Sequence, residues 1–163
     1  MPLWQLFTPE NAYTSEEKAD MARKIVDLYS SDFSQENFGF VLPKFYTSVI
    51  FHEIKAESFF VGGEPRDQFV QIEVVHIART VETSAAKLGI TPEETLRRYF
   101  EQMDNVLKPY IADRGYELEF HAEPAPFETW RIDGMVPPEP WSEDELRWGK
   151  DNKSSPYGQY ARA

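Results

Sequence analysis

A proline directly behind the initiator methionine is the most reactive possibility in this chain. Removal of Met1 turns Pro2 into a free secondary amine at the head of the segment PLWQLFT. An α-amino group titrates at about pH 8 in model peptides, and burial beside cations lowers that value. A base with a pKa of about 7 can take a proton from carbon next to a carbonyl and return it elsewhere. The same cations bind a substrate carboxylate, so one or two arginines are expected near Pro2.

Other chemistries find less support. The chain has no cysteine, which excludes thiol catalysis and thiolate metal sites. His52, His76 and His121 each fall in a predicted strand without the close spacing of a metal pair, and read as strand residues with satisfied rings. There is no G-x-S-x-G, and Gly62-Gly63 lacks the companions of a phosphate loop and reads as a turn. The 28 acidic against 17 basic residues give a net charge of -11, which argues against nucleic acid and against an anionic membrane surface. An anionic substrate then needs a local basic pocket. No apolar stretch approaches the roughly 18 residues of a membrane span, and no signal peptide is visible. A soluble, cytoplasmic protein is expected.

The elements that must position Pro2 can be read from periodicity. PLWQLFT alternates as a short strand. Thr14 and Glu17 form a capping box that opens a helix over about 15–31, with Ala22, Ile25, Val26 and Tyr29 on its apolar face. SQENFGFVLP reads as a loop, and a strand is predicted over about 45–54. In QFVQIEVVHIAR, Val70, Ile72, Val74 and His76 point one way, and Gln71, Glu73, Val75, Ile77 and Arg79 the other. Thr91, Pro92 and Glu94 cap the strongest helix, with Leu96, Phe100, Met103, Leu107 and Ile111 as its stripe and Pro109 near its end. YELEFHAE alternates as a last strand.

This order implies an α/β (α+β) fold of two tandem βαβ units, about 2–54 and 57–123. They form a four-stranded sheet with two helices on one face. The domain is expected to close near residue 137. The opposite sheet face is expected to be apolar and to associate with other subunits. Residues 138–163 read as a Pro/Trp-rich extension, mostly irregular, with a short helix capped by Ser142 and Glu145 and a flexible final dozen residues.

The arrangement resembles the tautomerase superfamily, in particular its longer members similar to cis-3-chloroacrylic acid dehalogenase. The resemblance covers about residues 2–137. It rests on Met-Pro, the helix SEEKADMARKIVDLY, FFVGG, the strand ending VVHIAR and the closing RIDGMVPP. It implies two βαβ units, a homotrimer, no cofactor and no metal, and a small anionic carboxylate as substrate. The catalytic proline then matches Pro2, and a carboxylate-binding arginine matches Arg79. Tyr29 stands where the dehalogenase pattern has a histidine, Phe120 where it has a tyrosine, Glu82 where it has a second arginine, and Arg131 where it has a water-activating glutamate. With that base replaced, the resemblance implies proton shuttling rather than hydrolytic dehalogenation. Pro2 serves as base and acid, Arg79 and Arg131 as cations, and Tyr29 as donor to an enolate oxygen, with Phe120 at the substrate. The alternatives are a Pro2-dependent hydratase, dehalogenase or decarboxylase on a 3-carbon acid, and an inactive trimeric binding protein.

Overall fold

A computed structural model describes residues 2–77 and 79–162. Met1, whose removal the proline chemistry requires, lies outside the described residues.

Strands β1 (Leu3–Pro9), β2 (Ser48–Ile54), β5 (Phe69–His76) and β6 (Glu117–Pro124) form a sheet in the order β2-β1-β5-β6. β1 runs parallel to β2, β5 parallel to β6, and β1 meets β5 antiparallel at the centre. This is the two-unit sheet that the periodicity predicts. Between the halves, β3 (Phe60–Val61) and β4 (Glu64–Pro65) form a small hairpin around Gly62 and Gly63, both at positive φ. β2 begins later than expected because Lys44–Tyr46 form a 3-10 turn behind Pro43.

The long helices α1 (Ser15–Ser30) and α4 (Pro92–Leu107) cross one face. Both arms of the Thr14–Glu17 capping box are made. The buried stripe of α1 is Met21, Ile25, Leu28 and Tyr29, rotated slightly from the expected face. In α4, Thr91 accepts from the Glu94 N–H, but the Glu94 carboxylate turns to Arg97 and Arg98 instead of closing the box. The stripe also differs: Thr95, Tyr99, Met103 and Leu107 are buried, whereas Leu96 and Phe100 are 40% exposed. Both exposed residues border a cavity, which takes the place of packed core on that side.

Two short helices add to the predicted elements, the first where a loop is expected. α2 (Asp32–Phe38) ends at Gly39, and α3 (Val81–Leu88) starts on a Thr80–Thr83 capping box. Gly39 has φ 76°, and a Cβ there would lie 3.0 Å from Lys87 Cγ, so glycine lets α3 approach this turn.

The core packs Trp4, Leu6, Val70, Ile72 and Val74 from the sheet against Met21, Ile25 and Met103, all essentially inaccessible. The outer sheet face is not uniformly apolar as expected. Across β1 and β2 it carries Ile50 and a stacked Phe7–His52 pair with centroids 4.6 Å apart, whereas β6 presents Glu117, Glu119, His121 and Glu123. Among the described residues no helix is long and apolar enough to cross a membrane.

After β6 the chain returns over the core. Helix α5 (Glu143–Asp151) buries Trp148 completely against Phe45 and Tyr46, and Trp130 packs edge-on to Tyr46 at 4.7 Å. Tyr157 and Tyr160 are packed rather than loose. The Tyr157 hydroxyl donates to the Val136 carbonyl at 2.6 Å, and the Val136 N–H donates to the Tyr160 hydroxyl at 3.1 Å. Aromatic area recovered from water holds this segment down where composition alone suggests disorder.

Candidate active site

Pro2 is buried at the head of β1, between β2 and β5. Its carbonyl accepts from the Ser48 N–H at 3.0 Å. The antiparallel register pairs Leu3 with Val75, so one step further on Pro2 faces His76. His76 borders a cavity of about 320 Å³ enclosed by the end of α1, the Phe38–Phe40 turn, residues 79–84, α4 and the end of β6. Pro2 itself does not border this cavity, but its neighbour across the ladder does.

Three polar atoms converge there. The Tyr29 hydroxyl lies 3.0 Å from His76 Nε2, the Tyr99 hydroxyl 2.9 Å from the same nitrogen, and the two hydroxyls are 3.2 Å apart. Trp4 Nε1 donates to the Tyr29 hydroxyl at 3.1 Å. A neutral imidazole protonated on Nδ1 leaves Nε2 to accept. One order then satisfies every atom: Trp4 to Tyr29, Tyr29 to Tyr99, Tyr99 to His76. Burial pushes the His76 imidazolium down to about 4, and the positive amino terminus acts in the same direction. Burial also pushes both tyrosines well above their usual range, so the cluster is neutral at pH 7 and presents hydroxyls rather than phenolates.

Arg79 is the cation that borders the cavity among the described residues; Glu82 and Glu123 border it too. Its side chain is only 4% exposed and pairs with Glu145 of α5 through a 2.7 Å Nη2–Oε2 contact. The Trp141 ring covers the guanidinium at 4.3 Å, with Phe40 at 5.8 Å. Glu82, at the start of α3, has its carboxyl held below the usual range by its own backbone N–H and by the Thr80 hydroxyl, so it stays ionised at the cavity edge.

Of the residues singled out in the sequence, Tyr29 and Arg79 border the cavity and Pro2 adjoins it through His76. Phe120 lies behind it, packed on Trp4, Tyr99 and Phe100. Arg131 is exposed and donates to the carbonyls of Glu128 and Trp130, away from the cavity. Sequence reasoning passed over Tyr99, Trp4 and Glu145, and read His76 as structural. His76 could have been found from its place on the inward set of β5 beside Pro2. Among the described residues no three His, Asp or Glu side chains converge as metal ligands.

Comparison with known proteins agrees with this architecture. Residues 1–153 match the model of a family described as putative oxalocrotonate tautomerase enzymes. RhCC from Rhodococcus jostii RHA1 is 34% identical, with 95% of this chain and 99% of RhCC covered and a TM-score of 0.81. A probable enzyme from the thermophilic fungus Aspergillus fumigatus is 32% identical over 96% of this chain and 98% of its own, with a TM-score of 0.79. A member of the cis-3-chloroacrylic acid dehalogenase family shares the fold at 17% identity and a TM-score of 0.59, with 92% and 97% covered. No curated protein matches the chain. The chain therefore belongs to the family of putative oxalocrotonate tautomerase enzymes, within the tautomerase superfamily.

Proposed function

We propose that the protein transfers a proton within a small 2-oxo or unsaturated carboxylic acid, with Pro2 as base and then acid once Met1 is removed. The observation that carries this reading is the register that sets Pro2 opposite His76, at the cavity where Tyr29, Tyr99 and Arg79 meet. The Pro2 amine takes the proton from the carbon next to the 2-oxo group. The electron pair moves onto that oxygen as an enolate, and the protonated amine returns the proton at carbon. The hydroxyls of Tyr29 and Tyr99 stabilise the enolate by turning their donors, from Tyr99 and from His76 respectively, towards it. Arg79 holds the carboxylate, and Phe38, Phe40 and Phe100 line room for an apolar remainder. That room exceeds what a 3-carbon acid fills, which favours this reading over decarboxylation or hydration of such an acid. Water addition has further to contend with Arg131, which lies away from the cavity and brings no base to it.

A trimer built through the Phe7–Ile50–His52 patch belongs to the same proposal; two proteins with this fold are fused asymmetric trimers, and sedimentation velocity measures the state here. The chemistry is tested with 2-oxo-3-pentynoate, which inactivates Pt0534, a protein of similar fold. Intact mass is expected to show loss of Met1 and one covalent adduct, mapped to Pro2, with activity lost in step. Retained Met1, or an adduct elsewhere with activity intact, overturns the proposal and favours an inactive binding protein.

A further inference from the structure

The charged end of the cavity is built by two separate parts of the chain. Arg79 follows β5, but what holds it comes from residues 141–145. Glu145 Oε2 accepts twice: from Arg79 Nη2 at 2.7 Å and from the Trp141 N–H at 2.7 Å. Trp141 adopts φ 63°, a backbone conformation costly for a bulky residue, and that places its ring over the guanidinium. Lys87 Nζ lies near the same ring, at 5.4 Å. Glu145 and Trp141 do not border the cavity, whereas Arg79 does. The clasp therefore grips the arginine from behind.

Two features mark this as more than packing. The Arg79–Glu145 pair is almost fully withdrawn from water, where a salt bridge adds little net stability over apolar residues of the same volume. The strained Trp141 backbone is held by the same carboxylate oxygen that orients the arginine. A carboxylate that fixes a guanidinium also cancels its charge, so it sets both the aim of Arg79 and the strength of its field.

We propose that Glu145 and Trp141 are positioning residues that aim Arg79 into the cavity and moderate its pull on a substrate carboxylate. This rests on the reading of Arg79 as the carboxylate-binding group. Two effects of Glu145 then have opposite signs. Glu145→Gln keeps an oxygen to accept from Arg79 and Trp141 but removes the cancelling charge. Glu145→Ala removes both the charge and the grip, and Trp141→Gly relieves the backbone strain while removing the cover.

The probes are pyruvate and its neutral isostere pyruvamide, titrated against the full-length protein by the ring NMR signals of His76. The quantity read is the ratio of the two affinities. Wild-type protein is expected to prefer pyruvate. Glu145→Gln is expected to raise that preference about threefold to tenfold, and Glu145→Ala and Trp141→Gly to lower it about tenfold, the scale of one charge-assisted hydrogen bond. A purely structural role moves stability in the same direction for both Glu145 variants and leaves the ratio alone. Should Glu145→Ala fail to fold, Trp141→Gly, at a partly exposed site, carries the test. An unchanged ratio in all folded variants, with wild-type preference intact and lost in the uncharged Arg79→Gln, overturns the clasp and leaves the Arg79 reading standing. No preference in the wild-type protein overturns both.

Discussion

The cavity has a neutral side and a charged side, and they are made differently. The neutral side, Trp4–Tyr29–Tyr99–His76, comes from the sheet and the two long helices, and its members pass hydrogen bonds to one another without any ion. The charged side, Arg79–Glu145, depends on a helix contributed near the end of the chain. Burial has opposite consequences for the two. It keeps tyrosine and histidine uncharged, which costs little when each is hydrogen-bonded. It makes an ion pair intolerant of losing either member. The neutral side is expected to yield gradually to substitution, and the charged side abruptly.

The strongest way to break that contrast is Arg79→Met. It leaves the Glu145 carboxylate buried beside a thioether, and chemical denaturation should register a loss of about 3–5 kcal/mol. Adding Glu145→Leu should recover most of it. Failure of the double variant to recover means that the pair stabilises by more than mutual neutralisation.

A second test uses acid on the neutral side. His76 is held down to about 4 in the folded protein, while an unfolded histidine titrates at about 6.5. As pH falls through about 6.5 the unfolded chain takes up a proton that the folded one refuses, so folding weakens until about pH 4 and no further on this account. Because His76 is partly accessible from the cavity, the loss should be about 2 kcal/mol rather than the full linkage value. Denaturation midpoints at pH 6.5 and 5 capture about half of it, before most carboxylates protonate. His76→Gln should flatten that slope, and an unaltered slope places the effect elsewhere.

The smallest effect is expected from Tyr29→Phe and Tyr99→Phe. Each deletes one hydroxyl from a cluster whose remaining donors can rearrange, for about 1 kcal/mol in stability. If the reading of the site is right, Tyr99→Phe lowers kcat more than it raises KM, because the enolate forms only after binding.

Much of this was legible in the sequence because it is periodic. Strand alternation and the Thr14 and Thr91 caps located the sheet and both long helices. α2 and α3 were missed because seven or eight residues carry too weak a stripe, although Thr80, Thr83 and Gly89 mark the ends of α3 in retrospect. Tyr99 escaped because the α4 stripe was drawn through Leu96 and Phe100. In a fully packed core those residues would face inward, and the cavity frees them from that role. Glu145 was visible only as a capping residue. Its helix does use the Ser142 cap, but the carboxylate is spent on a partner far away in sequence, which no local pattern can announce.

The central place of β1 has a consequence for the order of events during synthesis. Leu3 pairs with both Ser48 and Val75, so the residues of β1 are covered on both edges only after β5 has been synthesised. At about 5–20 residues per second they remain uncovered for several seconds. Under the proposed reading of Pro2 as a free amine, removal of Met1 has that interval in which to occur. Once β5 has been made and the sheet closes, Pro2 is buried and the opportunity has passed.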